Sequence, residues 1–214
     1  MFGKLGYSGL AGAAIAVVLV SGCGTTSGYE KADKTGSSMA EFRQDMINGK
    51  KAIDATMDSL GQIAITANTD PRPAFEQYAN NVKALEAAAD KAGKRSQSIQ
   101  QMGMEYFKQW EAQLAEVQNA SIRQVAEQRK AQLQETFGRI KTTAEPLKAQ
   151  FGPWLSDLKD LRTVLANDLT ITGVESVKPL FVKTRAEGAE VQKSMDALID
   201  ELNTVAATLT PAKK

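Results

Sequence analysis

Few side chains here can do covalent or acid–base chemistry, and what is missing narrows the reading most. The sequence holds one cysteine, Cys23, and no histidine. Without histidine there is no Ser-His-Asp or Cys-His relay and no histidine-bearing zinc site. A lone thiol closes no disulfide and builds no thiolate cluster. What remains is a Ser-Lys pairing, for which Ser96 and Ser98 stand near Lys94, and carboxylate chemistry, for which Asp54 and Asp58 fall one helical turn apart. No phosphate loop or oxyanion feature accompanies either set, and solvated helix faces account for both. A di-metal helical bundle would use Glu with Glu-x-x-His repeats, which this composition forbids. No catalytic residue, metal ligand or cofactor is therefore assigned, and the protein is expected not to be an enzyme.

Cys23 stands apart because of what precedes it. Lys4 is the only charge before Glu30, an apolar stretch runs from Leu10 to Val20, and Val20-Ser21-Gly22-Cys23 closes it. A positive start, about ten apolar residues and small residues before a cut describe an export signal. A spanning helix takes roughly 20 consecutive apolar residues, and Gly12, Ser21, Gly22 and Gly24 interrupt this run. The four residues at the cut resemble the lipobox of bacterial lipoproteins. That resemblance implies removal of residues 1–22, a diacylglycerol on the Cys23 sulfur, and further acylation, palmitate for instance, at the new amino terminus. One acyl chain holds a protein marginally; two or three anchor it stably, at about 0.8 kcal/mol per buried methylene. Gly24 stands where aspartate would, in that class, favour the inner membrane. The outer membrane, with the body facing the periplasm, is the expected location, and the inner membrane is the alternative.

Lys and Arg number 26 against 25 Asp and Glu. Residues 1–22 carry only Lys4, so the remainder is balanced. Such balance draws in neither nucleic acid nor an anionic surface. Residues 24–38, GTTSGYEKADKTGSS, are small and polar and cannot bury a core. Residues 23–37 are therefore read as an acylated cysteine and a flexible tether, 38–210 as the helical body and 211–214 as a tail.

Four stretches of the body repeat apolar residues at alternating steps of three and four. The first runs through Met39, Phe42, Met46, Ile53, Leu60 and Ile63, with Ser38 and Glu41 spaced as a capping box. Thr66 to Pro73 breaks it, with Asp70 as a cap. The second keeps phase from Phe75 through Tyr78, Val82, Leu85, Ala89, Ala92, Ser96, Ile99, Gly103, Tyr106, Trp110, Gln113 and Val117. Its small residues are expected to let a neighbouring backbone approach. Ser121 with Gln124 is spaced to cap the third, which passes Ile122, Leu133, Phe137, Ile140, Leu147, Phe151, Trp154, Leu158, Leu161 and Leu165. Pro146 and Pro153 fall inside it, and a kink near Gly152-Pro153 is favoured over a break because the seam keeps phase. Thr172 and Glu175 are spaced to cap the last, from Val174 to Leu209, with Gly188 at a close-packing position. Sustained sevens favour helices that supercoil on one another, and no stretch alternates as a strand does. The fold class is all-α: an elongated antiparallel bundle of about four long helices, the two longest forming a central hairpin. The rival is an open hairpin that completes its core as a homo-oligomer.

Tyr106-Phe107-Lys108-Gln109-Trp110-Glu111, Asn119-Ala120-Ser121-Ile122-Arg123 and Pro153-Trp154-Leu155 resemble motifs of a family of bacterial envelope proteins filed as a domain of unknown function. The resemblance covers most of residues 39–205, departs most in the final helix, and implies a helical fold and an envelope location without an activity.

Together these readings lead us to expect a non-enzymatic envelope lipoprotein. It would be anchored to membrane through Cys23 and act as a structural or interaction module with a protein partner. The alternative is a periplasmic carrier or chaperone-like binder holding an apolar ligand or client between helices, with Gly103, Gly188 and the seam alanines leaving the groove. The Asn119 turn is expected to project about 20 Å beyond the body on the anchored side.

Overall fold

A computed structural model describes residues 27–209. They form four long helices: α1 (Gly28–Thr66), α2 (Arg72–Glu116), α3 (Ala120–Asn167) and α4 (Ile171–Leu209). No strand occurs among the described residues. At about 1.5 Å per residue the helices run roughly 58 to 72 Å, so the bundle is elongated. Short turns make successive helices antiparallel neighbours. Each helix packs on two others, in the ring α1–α2–α3–α4, and the diagonal pairs make no close backbone approach. This replaces the central hairpin with a four-cornered bundle in which α1 and α4, the two shortest helices, also pair.

The helix starts differ from the capping spacings read in the sequence. α1 begins ten residues before Ser38, at a capping box formed by Ser27 and Glu30, whose carboxylate accepts from the Ser27 backbone N–H at 2.7 Å. Residues 28–37 are therefore helix rather than tether. Ala32, Thr35 and Gly36 carry the first seam backwards and are buried. The polar composition hid this because three small residues, not large apolar ones, make the contact. Asn119, not Ser121, caps α3 by accepting from Ile122 N–H at 3.1 Å. At α4 the Thr170 hydroxyl, not Thr172, accepts from Gly173 N–H at 3.1 Å and is itself held by Asp168. Asp70 accepts from Arg72 N–H at 3.2 Å at the start of α2.

α3 is one helix through Pro146 and Pro153, and α4 likewise contains Pro179. Each proline removes an N–H and frees the carbonyl one turn back. All three lie on exposed faces, as do Thr142, Ala149 and Glu175 four residues earlier. Water can therefore serve the freed carbonyls and the helices need not break.

The apolar seams of α1 and α4 are buried along their length, from Ala32 to Ile63 and from Val174 to Leu209. Buried threonines in the core turn their hydroxyls to carbonyls of their own helix: Thr35 to Lys31, Thr56 to Ala52 and Thr136 to Gln132, at 2.7–2.9 Å. α2 and α3 follow the sequence reading with two exceptions. Leu114 is buried while Gln113 is exposed, and Ile122 is 60% exposed. Ile122 lies outside the core because α3 overhangs the end of α4: Arg129 already reaches Thr208 at 3.4 Å. The overhang is about 13 Å. Beside α1 the projection is smaller, since Gly28 stands level with Gln113. The expected 20 Å projection shrinks because α1 starts earlier than the sequence suggested.

Candidate functional site

The four seams of the bundle are not equally closed. Glycines tighten three contacts. A β-carbon at Gly49 of α1 would lie 2.9 Å from the Met195 side chain of α4. At Gly188 of α4 it would lie 3.1 Å from the Trp154 ring of α3, and at Gly103 of α2, 2.9 Å from the Phe137 ring of α3. Gly103 and Gly188 are therefore filled notches and leave no groove. Trp154 is pinned by its indole N–H, which donates to Thr184 O at 2.8 Å.

The α2–α3 seam is the loosest of the four. It is closed at one end by Phe137 against Gly103 and Phe107, the two rings 5.3 Å apart edge-on. Towards the other end, Tyr78 Oη donates to Leu158 O at 2.7 Å and Lys159 pairs with Glu86 at 2.7 Å. Burial pushes the Tyr78 hydroxyl well above the usual phenol range, so it stays protonated and keeps this bond. Between these closures the seam stands open. Ala89, Ala92 and Ser96 on α2 are half-buried, and so are the larger Phe137, Ile140, Leu147 and Phe151 on α3.

The opening is a cavity of about 310 Å³, floored by Phe42, Met46 and Ile53 of α1 and Met195 and Leu198 of α4. A smaller one of about 50 Å³ continues it towards Ile99 and Phe137, sharing Phe42, Ser96, Ala144 and Lys148. A β-carbon on Gly93 or Gly152, which edge the larger cavity, would meet nothing within 4 Å. Asp45, the one carboxylate on this lining, is neutralised: Lys91 donates to it at 2.7 Å and Arg95 at 2.6 Å, and Arg95 also pairs with Glu41. Burial alone would raise the Asp45 carboxyl, but those two cations outweigh it and hold the group below the usual range. Apart from Asp45, Ser96 and Lys148 this lining is apolar, and it can hold hydrocarbon.

Residues 23–209 match the family described as "Protein of unknown function (DUF2959)". The chain belongs to that family. No curated protein and no solved structure matches it. Membership of the DUF2959 family agrees with the resemblance to a domain of unknown function and brings no activity or location with it.

In this DUF2959 protein the residues singled out in the sequence are dispersed. Val20, Ser21, Gly22 and Cys23 lie outside the described residues. Asp54 accepts from Gln192 at 2.7 Å and Asp58 pairs with Arg185 at 3.2 Å, so the two carboxylates bind α4 separately. Ser96 faces the cavity, while Ser98 and Lys94 are exposed. Arg139 of α3 reaches across to Glu201 of α4 at 3.0 Å. Tyr106 is buried, with the Phe107 ring tilted against it at 5.3 Å and the Trp110 ring edge-on at 5.5 Å, and Tyr106 and Trp110 also line a cavity of about 350 Å³ at the Gly28 end. Among the described residues no three His, Cys, Asp or Glu side chains gather as a metal site, and no helix is long and apolar enough to cross a membrane. The sequence reading put a groove at Gly103, Gly188 and the seam alanines, and the cavity lies at the alanines, Ala89 and Ala92, and at neither glycine.

Proposed function

We propose that the chain is a membrane-anchored envelope lipoprotein, tethered through an acylated Cys23 at the outer membrane and facing the periplasm. It works without catalysis, as a structural or protein-interaction module. The observation that carries this reading is the nearness of Val20-Ser21-Gly22-Cys23 to the bundle. Helix α1 starts at Gly28, five residues after Cys23. Five residues reach at most about 17 Å, so an acylated Cys23 keeps the Gly28 end of the bundle at the membrane surface. The overhanging first turns of α3, with Ile122 and Val125 exposed, then face the same way. Apart from the open stretch between α2 and α3, the helices spend their seams on one another, which suits a rod bearing partners on its outer faces and tips. Metabolic labelling with radioactive palmitate tests the anchor: wild type takes up label and Cys23→Ser does not, and an unlabelled wild type refutes it. Crosslinkable residues at Ala120 and Asn68 test the tip. Partner or lipid adducts are expected at Ala120, and adducts confined to Asn68 place the contact at the opposite end.

A second reading, a carrier of an apolar ligand, is favoured by the open α2–α3 seam. Gly103 and Gly188, filled by aromatic rings, contribute nothing to it; the alanines of α2 do.

A further inference from the structure

The open seam has a size, a shape and a charge that select among occupants. From Leu85 to Gln100 on α2 its lining runs about 22 Å, against about 15 Å for one leaflet's worth of hydrocarbon in a bilayer. Its main cavity, about 310 Å³, is twice an engineered apolar cavity of about 150 Å³ that stays dry and takes up benzene. The two helices close on each other beyond both ends, so a fifth helix, about 10 Å across with its side chains, would rest on the rims without entering. An unbranched alkyl chain enters.

The rims carry the second constraint. Lys148 edges both cavities and Lys141 the smaller one, and neither makes an ion pair among the described residues. Across the opening, Lys91 and Arg95 already balance Asp45 and Glu41. Glu145 stands one helical turn from both Lys141 and Lys148, so the two lysines and this carboxylate leave the mouth one positive charge. A second copy of this chain laid over the slot would bring the same cations against these, and like charges facing each other oppose association. An anionic head group is complementary.

We propose that the slot between α2 and α3 binds the alkyl chain of a single-chain anionic amphiphile, a long-chain fatty acid, with Lys148 meeting its carboxylate at the mouth. This deepens the carrier reading and does not depend on the anchor. Half-buried Ile140, Leu147 and Phe151 lose their remaining water when the chain enters, and that burial drives binding. A two-chain phospholipid leaves its second chain in water and is disfavoured.

The test uses the full chain carrying Cys23→Ser, so that no covalent acyl chain competes, and carbon-13 carboxyl-labelled palmitate followed by NMR. A bound carboxylate resonance is expected. Gly93→Phe and Gly152→Phe, placed where an added β-carbon meets nothing within 4 Å, are expected to abolish it while melting no lower than the parent. Lys148→Glu is expected to weaken palmitate about tenfold and to leave palmityl alcohol unchanged. Absence of a bound signal overturns the proposal, as does a signal that both phenylalanine variants retain. A parent that sediments as a dimer and becomes monomeric in Gly93→Phe assigns the slot to a second copy and also overturns it. Preference for phosphatidylglycerol vesicles over free palmitate overturns the single-chain assignment. None of these outcomes depends on whether Cys23 is acylated in the wild type.

Discussion

Gly188 and Trp154 form a lock between α4 and α3 whose energy can be worked from its geometry. Trp154 is 2% exposed. Its ring lies where a Gly188 β-carbon would stand 3.1 Å from Cζ2 and 3.4 Å from Cε2. Replacing a mid-helix glycine by alanine ordinarily gains about 1 kcal/mol. Here the ring must retreat, and it is held by the Thr184 carbonyl at 2.8 Å and by Phe151, 5.9 Å away between centroids. Overpacking of this kind costs about 1–3 kcal/mol, so Gly188→Ala is expected to destabilise by about 1 kcal/mol net, and Gly188→Leu by about 3 kcal/mol. Trp154→Ala alone costs about 3–5 kcal/mol and empties the notch. In that background Gly188→Leu refills it, and its effect changes sign. Urea denaturation followed by far-UV circular dichroism gives the four free energies, and each kcal/mol also moves the melting temperature by about 2–4 °C for a domain of this size. A coupling energy above about 1 kcal/mol is expected. Additive effects would show that the ring does not need the notch and would refute the reasoning.

Gly93→Ala and Gly152→Ala, with open space at the new β-carbon, are each expected to stabilise by about 0.5–1 kcal/mol; a lower melting temperature in either contradicts the open seam. Asp45 tests the pH dependence: its folded-state carboxyl lies below the ordinary range because the bonds from Lys91 and Arg95 outweigh the opposing effect of burial. A depressed folded pKa stabilises above the ordinary carboxylate value, near pH 4, and that contribution fades as pH falls through the depressed one. Asp45→Asn is therefore expected to cost about 1 kcal/mol at neutral pH and progressively less as pH falls below about 4, measured by urea titration; a cost unchanged in acid would contradict this origin.

Most of the fold was readable from the sevens. The seams through Met39, Tyr78, Trp154 and Val174 are those the structure buries, because a three-four repeat leaves a helix one face to hide. Helix starts were less readable, since a capping box is a spacing and several serines and threonines share it. Which one is used depends on where the seam's last packed residue lies, and at α1 that residue is Ala32, too small to announce itself. Close packing at Gly103 and Gly188 was foreseen, but its partners are rings rather than backbones. Periodicity states that a position faces inward; it does not state what faces it.

The same limit explains the slot. Small residues at Ala89, Ala92 and Ser96 bring helices together only if the opposite helix can advance. α3 cannot. Its axis is set at one end by Phe137 docking on Gly103 and at the other by the Trp154 indole reaching Thr184 across to α4. Between these posts α3 offers Ala144, Leu147 and Phe151, which line the cavity opposite Ala89, Ala92 and Ser96 of α2. α1 and α4 close beneath through Gly49 and Met195, so the floor cannot rise to fill the gap. A uniformly packed core would have placed Leu or Ile at position 89 or 92, as α2 does at 85 and 99. The gap is thus written in α2 and held open by α3, and it lies on the face where the rim charge is positive.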